Sequence, residues 1–103
     1  MAIDKIRNCL GNLKFTSHAK NGMLKEELGE ITESDIREAL VQGEVIESYM
    51  EDQPYPSFLV YGETSQKRPL HVVCAPIVEE TTLVIITVYE PDPTKWIKFR
   101  RRI

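Results

Sequence analysis

"RPLHVVCAPIVEETTLVIITVYE", residues 68–90, holds two apolar runs separated by a short acidic segment. Both runs are rich in β-branched residues, and Pro69 and Pro76 rule out a helix across the first, so each reads as a strand. "VEET" between them is too short for a crossover, which makes the pair antiparallel. Period two then sorts the side chains. His71, Val73 and Ala75 share one face of the first strand, and Leu70, Val72 and Cys74 share the other. On the second strand the aliphatic set Val84, Ile86 and Val88 is the natural floor for helices, leaving Leu83, Ile85, Thr87 and Tyr89 opposite. His71 and Tyr89 are therefore expected together on the open face, about 5 Å apart if they are cross-strand neighbours.

Two more strands precede this pair. "SFLVYGE", residues 57–63, joins it through the turn "TSQK", and "EVIESYM", residues 44–50, alternates Val45, Glu47 and Tyr49 against Ile46 and Ser48. Upstream the period changes to that of helices. "MAIDKIRNCLGNL" places Ile3, Ile6, Leu10 and Leu13 at helical spacing, with Gly11 near its stop. "FTSHAKNGMLKEEL" has Thr16 or Ser17 as N-cap, Ala19, Met23, Leu24 and Leu28 as its inward stripe, and Gly29 at its end. "ITESDIREALVQG" is the clearest helix, capped by Thr32 or Ser34, facing inward through Ile36, Ala39 and Leu40, and stopped by Gly43. The fold expected is α+β, with two or three N-terminal helices packed on one face of a four-stranded antiparallel sheet.

The 103 residues suit one domain spanning 1–103, and 42% hydrophobic with 28% charged residues is the balance of a folded protein. The longest apolar run, "LVIITVY", falls far short of the ~20 residues a membrane-spanning helix needs. The first ten residues lack the apolar core and cleavage site of a secretory leader, so a cytoplasmic location without membrane contact is expected. Cys9 and Cys74 stand apart, with no partner at metal-ligand spacing, and read as reduced core residues. No metal and no cofactor is expected. Gly-rich phosphate loops, GxSxG elbows and HExxH helices are absent.

Charge is unevenly placed. The last nine residues, "KWIKFRRRI", carry five cations and no acid while the whole chain has a net charge of −3. Such a run either meets phosphates or an acidic segment, or simply solvates a terminus. Trp96 and Phe99 within it either stack on bases or anchor the segment to the core.

A histidine, a tyrosine and arginines on one sheet surface suit acid–base chemistry on a phosphodiester. Imidazole exchanges protons near neutrality, phenol donates one, and guanidinium forks hold phosphate oxygens. On this reading His71 and Tyr89 are the candidate catalytic groups, His18 an auxiliary, and Arg68 with Arg100 the substrate-binding clamp. The same residues also fit a hydrogen-bonded structural pair, and His18 fits a local role at a helix start.

"FTSHA" with Met23 four residues on, "ITESDIREALVQGEVIESY", "YPSFLVYG", "RPLHVV" and "IITVYEPDPTKW" occur in an order that resembles the bacterial family known as domain of unknown function 4258. The resemblance covers roughly residues 13–100. That family is similar to the messenger-RNA-cleaving toxins of bacterial toxin–antitoxin pairs, which implies a RelE-like toxin fold, metal-independent RNA cleavage as an endoribonuclease, and an antitoxin protein as partner. The chain departs from the pattern at "NGMLKEELGEI", where Gly22 precedes Met23 and acids follow Lys25. The alternative is a non-catalytic interaction module that docks a partner, or a second copy of itself, through a strand edge or the basic tail.

Overall fold

Thr32 opens the best-defined helix. Its hydroxyl accepts from the Asp35 amide at 3.1 Å while the Asp35 carboxylate accepts from the Thr32 amide at 3.0 Å, a reciprocal cap worth about 1 kcal/mol. In a computed structural model that describes all 103 residues, this is α3, Glu33–Val41, and it buries Ile36, Ala39 and Leu40 as the sequence predicts. Before it come α1, Ala2–Asn8, and α2, Ser17–Lys25. After it run β2, Glu44–Tyr49, β3, Ser57–Glu63, β4, Pro69–Ile77, and β5, Thr82–Tyr89.

The sheet has five strands, not four, and it is mixed. Leu13–Phe15, expected at the junction of two helices, forms a short strand, β1, lying parallel to β5 with Leu13 opposite Leu83. The order is β1-β5-β4-β3-β2, antiparallel everywhere except at that edge. The first helix stops accordingly at Asn8 rather than reaching Leu13. Three residues leave no readable period, so only the neighbouring strand reveals β1. α2 also ends early, at Lys25, and Leu24 and Leu28 are exposed instead of joining the inward stripe.

Two bulges decide which side chains face the helices. On β5 the register against β4 shifts between Val73 and Cys74, so Thr87 lies opposite Val73 while Ile85 lies opposite Cys74. Leu83, Ile85 and Val88 thereby enter the core, in place of the expected set Val84, Ile86 and Val88. At this bulge the Thr16 amide and hydroxyl donate to the carbonyls of Ile85 and Ile86, at 3.1 and 2.8 Å, where β1 ends and α2 begins. On β2 the register shifts between Val45 and Glu47. Val45 opposes the core residue Val60, whereas Glu44 opposes Tyr61 and Glu47 opposes Leu59 on the other face.

The helices cover one face through a core of 15 residues that includes Ile6, Ile36, Leu40, Val60, Val72 and Ile85. Gly62 permits the closest approach. A Cβ there would lie 1.9 Å from the Ala39 carbonyl oxygen, so α3 could not sit on β3 over any larger residue. Arginines join the first and third helices: Arg7 donates to the carbonyls of Val41 and Gly43, and Arg37 donates to that of Leu10.

The C-terminal segment runs neither as a helix nor along the sheet edge. It folds back as a separate hairpin of β6, Trp96–Ile97, and β7, Arg101–Arg102. Lys98 and Phe99 hold left-handed φ values of 52° and 61° in its turn, which the Arg100 amide closes on the Ile97 carbonyl at 3.0 Å. Neither is glycine, and each left-handed residue costs on the order of 1 kcal/mol.

Candidate functional site

On the face without helices, register places Glu44, Tyr61, His71 and Tyr89 in one row across β2, β3, β4 and β5. His71 and Tyr89 share this face, as expected, and the register shift between Val73 and Cys74 sets them directly opposite each other. The Tyr89 hydroxyl lies 3.0 Å from Nδ1 of His71, and the Phe99 carbonyl oxygen lies 2.6 Å from Nε2. A carbonyl only accepts, so Nε2 carries the proton and Nδ1 accepts from the Tyr89 hydroxyl. Burial favours the neutral ring, which these partners then hold in one tautomer with both nitrogens occupied.

The open face is not open at this row. His71 is 0% exposed. Trp96 of β6 stands edge-on to its ring, with centroids 4.5 Å apart, and Tyr89 and Tyr61 flank it at 5.2 and 6.1 Å. Phe99 packs against Tyr61 at 6.0 Å. Burial lowers the His71 pKa below its ordinary 6.5, against the smaller upward pulls of the Phe99 carbonyl and the Glu47 charge. Burial also raises that of Tyr89.

Charge fastens the rim. Arg102 donates to Glu47 at 2.8 and 3.0 Å and lies 4.7 Å above the Trp96 ring. Arg100 pairs with Glu44 and lies 4.8 Å above the Tyr61 ring. The Arg102 hydrogen bond, aided by that of Tyr49, holds the Glu47 carboxyl below its usual range. The β2 bulge makes this double attachment possible. Glu44 and Glu47 are three residues apart and would face opposite ways on a regular strand.

The other sequence candidates lie elsewhere or are already engaged. Arg68 donates to Glu90 at 2.7 Å and to the carbonyls of Gly29 and Glu30 at 2.6 and 3.0 Å, so its guanidinium ties the loop after α2 to the end of β5. In this arrangement its guanidinium serves as a structural tie, with its donors already engaged. Arg100 is at the site but already paired with an acid. His18 is exposed on the first turn of α2 and makes no hydrogen bond to the His71 cluster. Of the two roles open to Trp96 and Phe99, anchoring is the one they fill.

Sequence reasoning missed Tyr61, Glu44 and Glu47. The expected four-residue turn at 64–67 would set Tyr61 opposite Leu70; the actual turn spans 65–67, closed by the Thr64 amide on the Arg68 carbonyl at 2.9 Å, and so brings Tyr61 opposite His71. No local signal marked the two glutamates. No group of three or more His, Cys, Asp or Glu is disposed to hold a metal ion. Cys74 is sealed in the core, where burial pushes its thiol up to about 12 and leaves it unreactive.

A family model described as "Domain of unknown function (DUF4258)" matches residues 15–90. The match ends one residue past Tyr89, so the site's strands lie inside it and the covering hairpin lies outside. No curated protein and no solved structure matches the chain.

Proposed function

The chain belongs to the DUF4258 family, and from the geometry of its helix-free face we propose that it is an RNA-binding module whose basic hairpin meets the phosphate backbone. The observation that carries this reading is the pair of bonds made by His71. Both ring nitrogens are spent, one on Tyr89 and the other on the hairpin carbonyl of Phe99. The imidazole thus acts as a clasp that fixes the hairpin to the sheet. Held there, β6, β7 and their turn present Lys95, Lys98 and Arg101, all exposed and none paired with an acid. RNA is the partner class that the likeness to messenger-RNA-cleaving toxins implies, and an antitoxin-like protein would be a second partner.

Three phosphate contacts on a single strand give a log–log salt slope of about −2. The acidic body keeps the affinity low. Titrating a single-stranded oligoribonucleotide at several salt concentrations should return that slope, and a Lys95→Ala/Lys98→Ala/Arg101→Ala variant should flatten it. Binding that ignores salt, or survives the triple change, would overturn the proposal.

A second reading is favoured by one specific contact, the Tyr89 hydroxyl on a neutral His71. In a metal-independent cleavage the imidazole takes the proton of the 2′-hydroxyl, the 2′-oxygen attacks phosphorus, and Tyr89 protonates the departing 5′-oxygen. Arg100 would hold the phosphate. His18 and Arg68 have no part in this version. In the closed arrangement Nε2 carries the proton and donates it to the Phe99 carbonyl. Cleavage therefore requires the hairpin to move and the ring proton to shift to Nδ1, which leaves Nε2 free to take the 2′ proton while Nδ1 donates to the Tyr89 oxygen. Tyr89→Phe, which keeps the ring, should abolish RNA cleavage, and unchanged cleavage would remove the pair from the chemistry.

A further inference from the structure

We infer that the Trp96–Arg102 hairpin is a removable cover over a preformed row of Tyr61, His71 and Tyr89. The hairpin pairs only with itself and contributes no strand to the main sheet. The ion pairs that hold its rim are ones that water can replace: Arg100 and Glu44 are each 51% exposed, and Arg102 is 63% exposed. Its turn holds two consecutive non-glycine residues, Lys98 and Phe99, in left-handed conformations. That turn is closed within the hairpin, by the Arg100 amide on the Ile97 carbonyl, so the hairpin can leave the sheet as a unit.

The surface beneath differs from a core. It consists of rings bearing polar groups that water can satisfy, whereas the helix-covered face offers apolar groups such as Leu40, Val60 and Phe58. Tyr61, His71 and Tyr89 sit on three adjacent, mutually paired strands and stay in register without the hairpin. Opening also frees Arg100 and Arg102 from carboxylates, and phosphate oxygens suit the same guanidinium forks. The catalytic consequence rests on the acid–base reading of His71 and Tyr89. The uncovering does not.

Diethyl pyrocarbonate, which modifies a neutral imidazole that solvent reaches, reads the cover directly. In the full-length protein His18 is the exposed internal control and His71 the covered group. Glu44→Gln/Glu47→Gln should raise His71 modification relative to His18 at least about fivefold, with hydrogen-exchange protection of the Val60 and Val72 amides unchanged. Should that variant fail to fold, the wild-type protein moved from about 0.05 to about 1 M salt should show the same rise, because exposed pairs are screened. A His71 that reacts only when the Val60 and Val72 amides also exchange would overturn the cover. Uncovering without RNA cleavage would instead sink the acid–base reading and leave the cover standing.

Discussion

The two faces of the sheet are buried by different means. On the helix face, Leu40, Val60, Val72 and Ile85 exclude water by shape and apolar area, with no polar partner to satisfy. On the hairpin face, His71 is as fully buried, yet it is held by two hydrogen bonds, aromatic edges and two partly exposed ion pairs. The first arrangement should ignore pH and salt. The second should respond to both, because it rests on protonation states and screened charges.

The largest effect should come from the helix face. Gly62→Ala drives a Cβ into the Ala39 carbonyl, which neither backbone can avoid without separating α3 from β3. We expect a loss of about 3 kcal/mol or more, the same at low and high salt, measured by urea denaturation. A loss under 1 kcal/mol would mean that the two elements are less tightly apposed than described.

His71→Ala tests the other face. It leaves the Phe99 carbonyl and the Tyr89 hydroxyl without their partner and should cost about 1–3 kcal/mol. Trp96 fluorescence should also shift toward that of a solvated indole, since the ring loses the group it packs against. Equal destabilisation with unchanged Trp96 emission would break the link between histidine and hairpin.

The smallest effect is that of acid. The folded pKa of His71 lies below 6.5, so the unfolded chain binds the extra proton first. The stability this group contributes is present above about pH 6.5 and is lost as pH falls through the lowered folded value. Glu47 acts in the same direction further down, its contribution being present above 4.5 and lost below. In Trp96-monitored titrations the hairpin face should loosen on acidification before the helix face does. In His71→Ala the upper of the two steps should vanish.

The strands β3, β4 and β5 were legible because each is long enough to show period two, but the pairing of His71 with Tyr89 depends on the register shift between Val73 and Cys74, without which Val88 would stand opposite the histidine. The third helix was legible because its cap and stop are written in neighbouring residues, Thr32 with Asp35 at one end and Gly43 at the other. β1 was not, since three residues cannot display a period and its partner lies some 70 positions away. Nor was the fate of Arg68. An arginine beside a histidine on a strand reads as part of a site, and only the fold brings Glu90 and the loop at Gly29 within its reach.

The amino-acid order by itself determined the helices and the meander, because these depend on repeats of two and about four residues along the chain. The tertiary structure alone decided that this face would be covered. A bulge on β5 brings Tyr89 to the face of His71, and one on β2 resets the alternation so that Glu44 and Glu47 point the same way and can receive Arg100 and Arg102. A hairpin from the far end of the chain then closes over His71, and no local period encodes a contact between residues 28 positions apart.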